Sequence, residues 1–282
     1  MQLDPRAVRA LAWLVALAGA AAAVLSVAIY APFGPGNGDP RGKASGGEHP
    51  LEGGSDTVPD GAAPAAPRSV PNSLLPDLIV AAPRELYIVD DGVTRTLRFS
   101  TTVANVGDGP LHLTGDYDPA TNLTTARQRI ARNDGSSSDR VTGSFVWHPW
   151  HEHWHFEDFT VMEIWAYGDD GALRDLLMST GKSTFCAIDS ETYDLELPSA
   201  VEAPAFGTCG DGVQGISVGW SDTYGAELFG QSLDITDLPD GRYALRTLAD
   251  PDDRIVERDD LNNDVVTFVA IAGDAIYALD AP

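Results

Sequence analysis

The chain reads as an all-β, largely antiparallel domain, a β-sandwich with long functional loops, preceded by an N-terminal hydrophobic helix and a flexible tether. Three observations predict it. Beyond Leu74 apolar residues recur mainly with a two-residue period, turn signals return at roughly ten-residue spacing, and helical periodicity is weak outside residues 1–31.

In residues 1–31, Arg6 and Arg9 precede the uncharged run ALAWLVALAGAAAAVLSVAIY, from Ala10 to Tyr30. About 20 apolar residues suffice to cross a bilayer as a helix, and arginines ahead of the run favour a cytoplasmic start with an exported remainder. A cleaved signal peptide is the competing reading, because the small residues from Gly19 to Ala23 resemble a cleavage region. The run continues past them, which favours a retained anchor. Either way the rest lies outside the cytoplasm, membrane-anchored through this helix only, or secreted. Residues 32–71 turn to Gly, Pro, Ala and Ser, as in GPGNGDPRGKASGGEHP, a tether with too little apolar surface to offset its ordering entropy. Residues 72–282 carry the strands. TRTLRFSTTVANVGDGP places Leu97, Phe99, Thr101 and Val103 on one face ahead of a Gly-Asp-Gly-Pro turn. FTVMEIWAY, GRYALRTLA and DVVTFVAIA read as further strands, punctuated by DDG, GDG, GDDG, LPDG and LNND.

A formal net charge of −24 excludes a nucleic-acid partner, which needs a basic stripe to meet phosphates. Acidic stretches such as DPDD and ERDD read as solvated surface and can steer cationic, amine-bearing substrates. Cys186 and Cys209 are the two cysteines, an even pair that reads as one disulfide in an exported chain. Their spacing excludes a CxxC redox or zinc motif.

The chemistry concentrates in HPWHEHWHF, residues 148–156, which holds four of the six histidines. His151, His153 and His155 alternate, so on a strand all three project from one face. Neutral imidazole suits zinc, copper, iron or nickel. Trp147, Trp150, Trp154 and Phe156 imply a partly dry setting for that ion. His148 falls outside the alternation and reads as either a fourth ligand or a neighbour supporting the ligands. HxHxxxE, as His151, His153 and Glu157, is also half of a cupin metal site, but no histidine follows His155 to complete it.

Four stretches together resemble the lysyl oxidase family. WHPWHEHWHFEDF resembles its copper-binding stretch, and GKSTFC its Gly-x-Lys-Ala-Ser-Phe-Cys segment. GWSDTYGAELFGQSLDITDLPDGRYALR resembles its Asp-Thr-Tyr-Gly-Ala-Asp segment and the strand beyond, while LLPDLIV and ERDDLNND resemble the two ends of its catalytic domain. The resemblance implies a copper-dependent amine oxidase that converts primary amines, either peptidyl lysine or small amines, to aldehydes. O₂ is the oxidant, and ammonia and hydrogen peroxide are released. It implies copper on His151, His153 and His155, and a lysine tyrosylquinone built from Lys182 and Tyr224. Composition adds a hint: Lys43 and Lys182 are the only lysines, so the domain's single lysine falls where the cofactor requires an amine. A cross-linking amine must be neutral, a state that desolvation or nearby metal charge favours and that arginine does not reach. Asp158, three residues beyond His155, is the expected base. The resemblance also implies a Ca²⁺ site of Asp77, the Leu78 carbonyl, Glu257, Asp259, Asn262 and Asn263, oxygen donors that suit a hard cation. Where animal members carry a further cysteine in the histidine run, this chain has Trp150. The competing class is an extracytoplasmic metal-binding or cell-surface β-module without turnover, favoured if Lys182 and Tyr224 lie too far apart to bond.

Overall fold

The computed structural model describes residues 72–282. The expected hydrophobic helix at 1–31 and tether at 32–71 lie outside these residues. Among the described residues every regular element longer than a turn is a strand, and no helix is long and apolar enough to cross a membrane.

The strands are β1 (Ser73–Leu74), β2 (Leu78–Ala81), β3 (Leu86–Asp90), β4 (Arg95–Phe99), β5 (Thr101–Asn105) and β6 (Leu111–Asp118). Next come β7 (Leu123–Arg132), β8 (Ser137–His148), β9 (His153–Tyr167), β10 (Leu173–Phe185), β11 (Glu191–Thr192) and β12 (Val213–Ile216). The last are β13 (Trp220–Tyr224), β14 (Ser232–Asp234), β15 (Gly241–Ala249), β16 (Asp264–Ala272) and β17 (Ala275–Ala278). A ten-stranded sheet runs β12-β6-β7-β8-β9-β15-β16-β17, with β1 added on β7 and β10 on β9. A four-stranded sheet runs β11-β13-β5-β2, and a three-stranded sheet β14-β4-β3. The pairings are antiparallel, as expected.

Each small sheet is joined to the large one by its own core. Val80 and Val103 of the four-stranded sheet pack with Leu111, Leu113, Phe145 and Phe156 of the large sheet. Leu97 and Phe99 of the three-stranded sheet pack with Met162, Ile164, Leu245 and Val269. Burying these apolar faces supplies the main driving force, at about 25 cal/mol per Å². The expectation that Leu97, Phe99, Thr101 and Val103 share one continuous strand face is corrected here. The run breaks at Ser100, whose N–H donates to the Glu85 carbonyl (3.2 Å) and whose Oγ accepts from the Arg84 N–H (2.9 Å). Beyond that corner β5 leaves the partner of β4 and joins the other sheet.

A second irregularity positions the site. In β9, Phe156 and Phe159 are both buried although they stand three positions apart, an odd spacing that puts them on opposite faces of a regular strand. Asp158 between them has φ 56°, and the register with β10 slips from Ser183↔Thr160 to Phe185↔Phe156. This is a β-bulge, a device that re-aims side chains. Here it turns Asp158 toward Lys182 and Arg254.

Candidate functional site

β8 and β9 form the hairpin that carries the histidines. His148 and His153 face each other across it, and the intervening turn closes with the Glu152 N–H donating to the His148 carbonyl at 2.9 Å. Glu152 at the turn has φ 56°, a left-handed conformation. His151 therefore sits in the turn rather than on the strand, which corrects the expectation of three in-phase strand histidines. The turn folds His151 back over the hairpin. Nitrogens of His148, His151 and His155 all lie within 4.8 Å of one another. His153 instead lies with Cys186 and Cys209, whose sulfurs form the expected disulfide, with Cα atoms 5.4 Å apart. Its ring centroid is nevertheless only 4.9 Å from that of His155 and 5.4 Å from that of His151.

The trio's hydrogen bonding suits a metal. His155 is buried, and its Nδ1–H donates to the Thr184 carbonyl at 3.0 Å, leaving Nε2 with its lone pair. That lone pair is 3.2 Å from His151 Nδ1. Two nitrogens each about 2.0–2.1 Å from one ion show about this separation. His148 Nδ1 and His151 Nε2 are buried without a hydrogen-bond partner. Orphaned imidazole nitrogens are costly unless something fills them. Burial, reinforced by the neighbouring imidazoles, pushes His155 down to about 3, so the ring stays neutral as a metal ligand requires. Burial lowers His148 and His151 as well.

Tyr224 ends β13 next to this cluster. Its ring stacks on Phe185 at 4.0 Å and meets the His155 ring edge-on at 6.2 Å. Its hydroxyl accepts the Cys186 N–H at 2.7 Å. Burial, then the nearby Asp222 carboxylate, pushes the phenol above its ordinary range. Lys182 on β10 lines the same cavity of about 310 Å³ as His148, His151, His155 and Tyr224. Its ammonium points elsewhere, to Asp252 Oδ2 at 2.6 Å and Asp158 Oδ2 at 3.7 Å. The expected desolvated, neutral lysine is not what the structure holds: Lys182 is exposed, and its hydrogen bond to Asp252 raises its pKa.

Asp158, expected as the base, is engaged by Arg254, which donates to its Oδ2 at 3.0 Å. Arg254 also meets Asp252 at 2.7 Å, completing a four-residue network with Lys182. Asp252 and Arg254 were hidden in DPDDR, a stretch that reads as solvated turn.

The expected calcium donors also converge in part. Glu257 is buried, and its carboxylate accepts from the Leu78 N–H and from Asn263 Nδ2, both at 2.6 Å and both neutral. Burial pushes it well above the ordinary carboxylate range. Asn262 Nδ2 donates to Asp77 Oδ1 at 2.8 Å, while Arg258 donates to Asp77 Oδ2. The Oδ1 atoms of Asn262 and Asn263 are buried without partners. Asp259 caps its own turn through the Leu261 N–H at 3.0 Å. Unpartnered amide oxygens and a buried carboxylate met only by neutral donors fit a hard cation, with Arg258 as a rival for Asp77.

Comparison with known proteins decides the lineage. The lysyl oxidase family signature matches residues 124–280. This chain belongs to the lysyl oxidase family. Lysyl oxidase homolog 3A of Danio rerio is 31% identical over 173 residues, 61% of this chain and 18% of that relative. Lysyl oxidase homolog 2 of Bos taurus is 31% identical over 153 residues, 51% of this chain and 18% of that relative. Protein-lysine 6-oxidase of Homo sapiens is 30% identical over 168 residues, 58% of this chain and 37% of that relative. The chain thus spans well under half the length of these relatives. The lysyl oxidase signature takes in the histidine cluster, Lys182, Tyr224 and both cysteines, while Asp77 and Leu78 lie ahead of it.

Proposed function

We propose that the chain is a copper-dependent amine oxidase acting outside the cytoplasm on primary amines, with peptidyl lysine and small amines as the substrate class. One observation carries this reading: His151 and His155 of the copper trio implied by the family resemblance line a single cavity with Tyr224, Lys182 and His148, and the third, His153, has its ring 4.9 Å from that of His155. Copper and a lysine tyrosylquinone of Lys182 and Tyr224 would supply the electron sink that turns an amine into an aldehyde, with O₂ reduced to hydrogen peroxide and ammonia released. The chain's part is to hold and orient. Thr184 fixes the His155 tautomer, Phe185 clamps the Tyr224 ring face, and the Cys186 N–H fixes the phenol oxygen. The disulfide and the exposed acidic surface suit an exported protein. The N-terminal run is assigned the role of membrane anchor. The test is quinone redox staining and a phenylhydrazine adduct on copper-loaded protein; a parent that gives neither overturns the reading.

His151 and His155 belong both to the trio the resemblance implies, with His153, and to the trio the geometry brings together, with His148. His151→Ala and His155→Ala are therefore expected to weaken copper binding at least about tenfold more than His148→Ala or His153→Ala, roughly 1.4 kcal/mol or more. A competing-chelator titration measures it, and equal losses from all four would dismiss the shared pair.

Calcium is assigned to the cluster around Glu257, pinning β2 to the segment before β16. Without a cation, a carboxyl raised in the fold above its ordinary value of 4.5 loses stability as pH climbs past 4.5 toward its folded value. Bound Ca²⁺ opposes that loss, so its stabilising effect should be larger near about pH 8 than near about pH 5. At a hundredfold excess over Kd the gain is about 2.7 kcal/mol. Thermal unfolding with and without Ca²⁺ reads it, and Glu257→Gln should abolish the shift. A melting temperature indifferent to Ca²⁺ at both pH values removes the site.

A further inference from the structure

A second cavity, of about 350 Å³, is bordered by Ile188, Leu228, the Cys186–Cys209 disulfide, His151, Asp222 and Tyr224, while Lys182 is not among its lining residues. Its walls are mostly apolar, and exposed Ser190 and Leu228 open it to solvent. Pockets of this size with one well-placed polar group are the common form of a small-molecule site. Among the polar groups lining this one, Asp222 is the one carboxylate, and it is 1% exposed. Asp222 precedes Tyr224 by two residues on β13, so both side chains leave the same face of the strand, about 7 Å apart along it.

The hydrogen bonding of Asp222 is not that of a structural carboxylate. Asp189, also buried, shows the structural pattern: Oδ1 accepts the Ser217 N–H at 2.7 Å, and Oδ2 accepts the Ala205 N–H, the Phe206 N–H and the Ser217 hydroxyl. The Asp222 carboxylate has the Ser190 side chain and the Thr223 backbone N–H nearby, yet its Oδ2 is buried without a hydrogen-bond partner. An unpartnered buried carboxylate oxygen is expensive, and a fold retains it where a ligand or a proton fills it. Burial also favours its protonated form, which makes it a stronger acceptor once ionised than an exposed aspartate. Asp158 offers no such oxygen, because Arg254 already occupies its Oδ2.

We propose that Asp222 Oδ2 is the proton acceptor in amine oxidation, and that the second cavity holds the alkyl chain of the substrate against Tyr224. This rests on the amine oxidase reading above. The α-carbon C–H bond of the amine breaks and its proton passes to Asp222 Oδ2, while a quinone of Lys182 and Tyr224 would take up the electron pair. O₂ is the final oxidant. Water then supplies the aldehyde oxygen, the nitrogen leaves as ammonia with O₂ reduced to hydrogen peroxide, and Asp222 returns its proton to solvent.

The experiment uses full-length, copper-loaded protein with n-butylamine and its α,α-dideuterated form, mixed anaerobically while the quinone absorbance is followed. Asp222→Asn should stain for quinone at the parent level yet be reduced at least about 100-fold more slowly. Its deuterium isotope effect should rise, because proton transfer then limits the rate. Asp222→Glu, which keeps the acid but displaces it, should be reduced at an intermediate rate, and it serves as the test if the Asn variant does not fold. Reduction within threefold of the parent in a quinone-bearing variant overturns the proposal, as does an unchanged isotope effect in a slowed one. Quinone lost only from the variants also overturns it, since Asp222 would then act in building the cofactor. A parent without quinone overturns the underlying oxidase reading, a result distinct from the other three.

Discussion

Lys182→Arg should leave the fold and copper binding intact while removing the quinone chromophore and lowering peroxide release to background. The variant keeps the positive charge, so the contacts to Asp252 and Asp158 persist and the copper-free, unlinked parent and variant should unfold at the same temperature. What it removes is an amine able to lose its proton. Arginine stays protonated at any pH the protein survives, whereas lysine yields a nucleophile when its environment allows. The structure shows why that environment must change first. The Lys182 ammonium is held by Asp252 at 2.6 Å, and this partner raises its pKa, so a cross-link to Tyr224 requires the ion pair to open and a proton to leave. Cofactor assembly should therefore quicken with rising pH. Weakening the partner through Asp252→Asn should quicken it at fixed pH. Intact mass provides the second readout: copper-loaded parent should carry the cross-link, and Lys182→Arg should match its unlinked sequence. A Lys182→Arg variant that still develops the chromophore would remove Lys182 from the cofactor.

Much of this site could be read from the chain because its signals are local. GRYALRTLA and DVVTFVAIA form β15 and β16 over their whole lengths, since apolar alternation and flanking turns agree there. The histidine cluster announced itself by composition, and the tyrosine by the residues around it. What stayed illegible depends on contacts far apart in sequence or on backbone detail. β10, LRDLLMSTGKSTF, is largely exposed and lacks an inward apolar face, yet it is the strand that carries Lys182. The strand-face reading put His151 beside His153, but a left-handed Glu152 folds a turn there and exchanges His153 for His148 in the trio. Asp252 reaches Lys182 across 70 residues, and no local pattern marks it. Asp222 was nearer to view. A buried acid two residues before a strand tyrosine shares its face, and that period-two relation was available in SDTYGAE.

The disulfide carries the other large effect. Replacing both Cys186 and Cys209 by serine should destabilise the protein by roughly 3 kcal/mol, from the entropy an open loop regains in the unfolded chain, given a separation of 23 residues. For a domain of this size that corresponds to a fall in melting temperature of roughly 6–12 °C. The consequence should extend to the site. Cys186 supplies the N–H that holds the Tyr224 hydroxyl, and the Cys209 carbonyl accepts the Trp154 N–H at 3.0 Å, between His153 and His155. The bond thus clamps the strand bearing the histidines to the strand end bearing the tyrosine's anchor. Loosening it should slow quinone formation more than copper binding, because His148, His151 and His155 are held by their own hairpin. Thermal unfolding with and without reductant gives the first quantity, and the rate of chromophore growth after copper addition gives the second. Two titratable thiols in the unreduced, denatured parent would contradict the bond itself. An unshifted melting temperature in the double serine variant would contradict its role as a clamp.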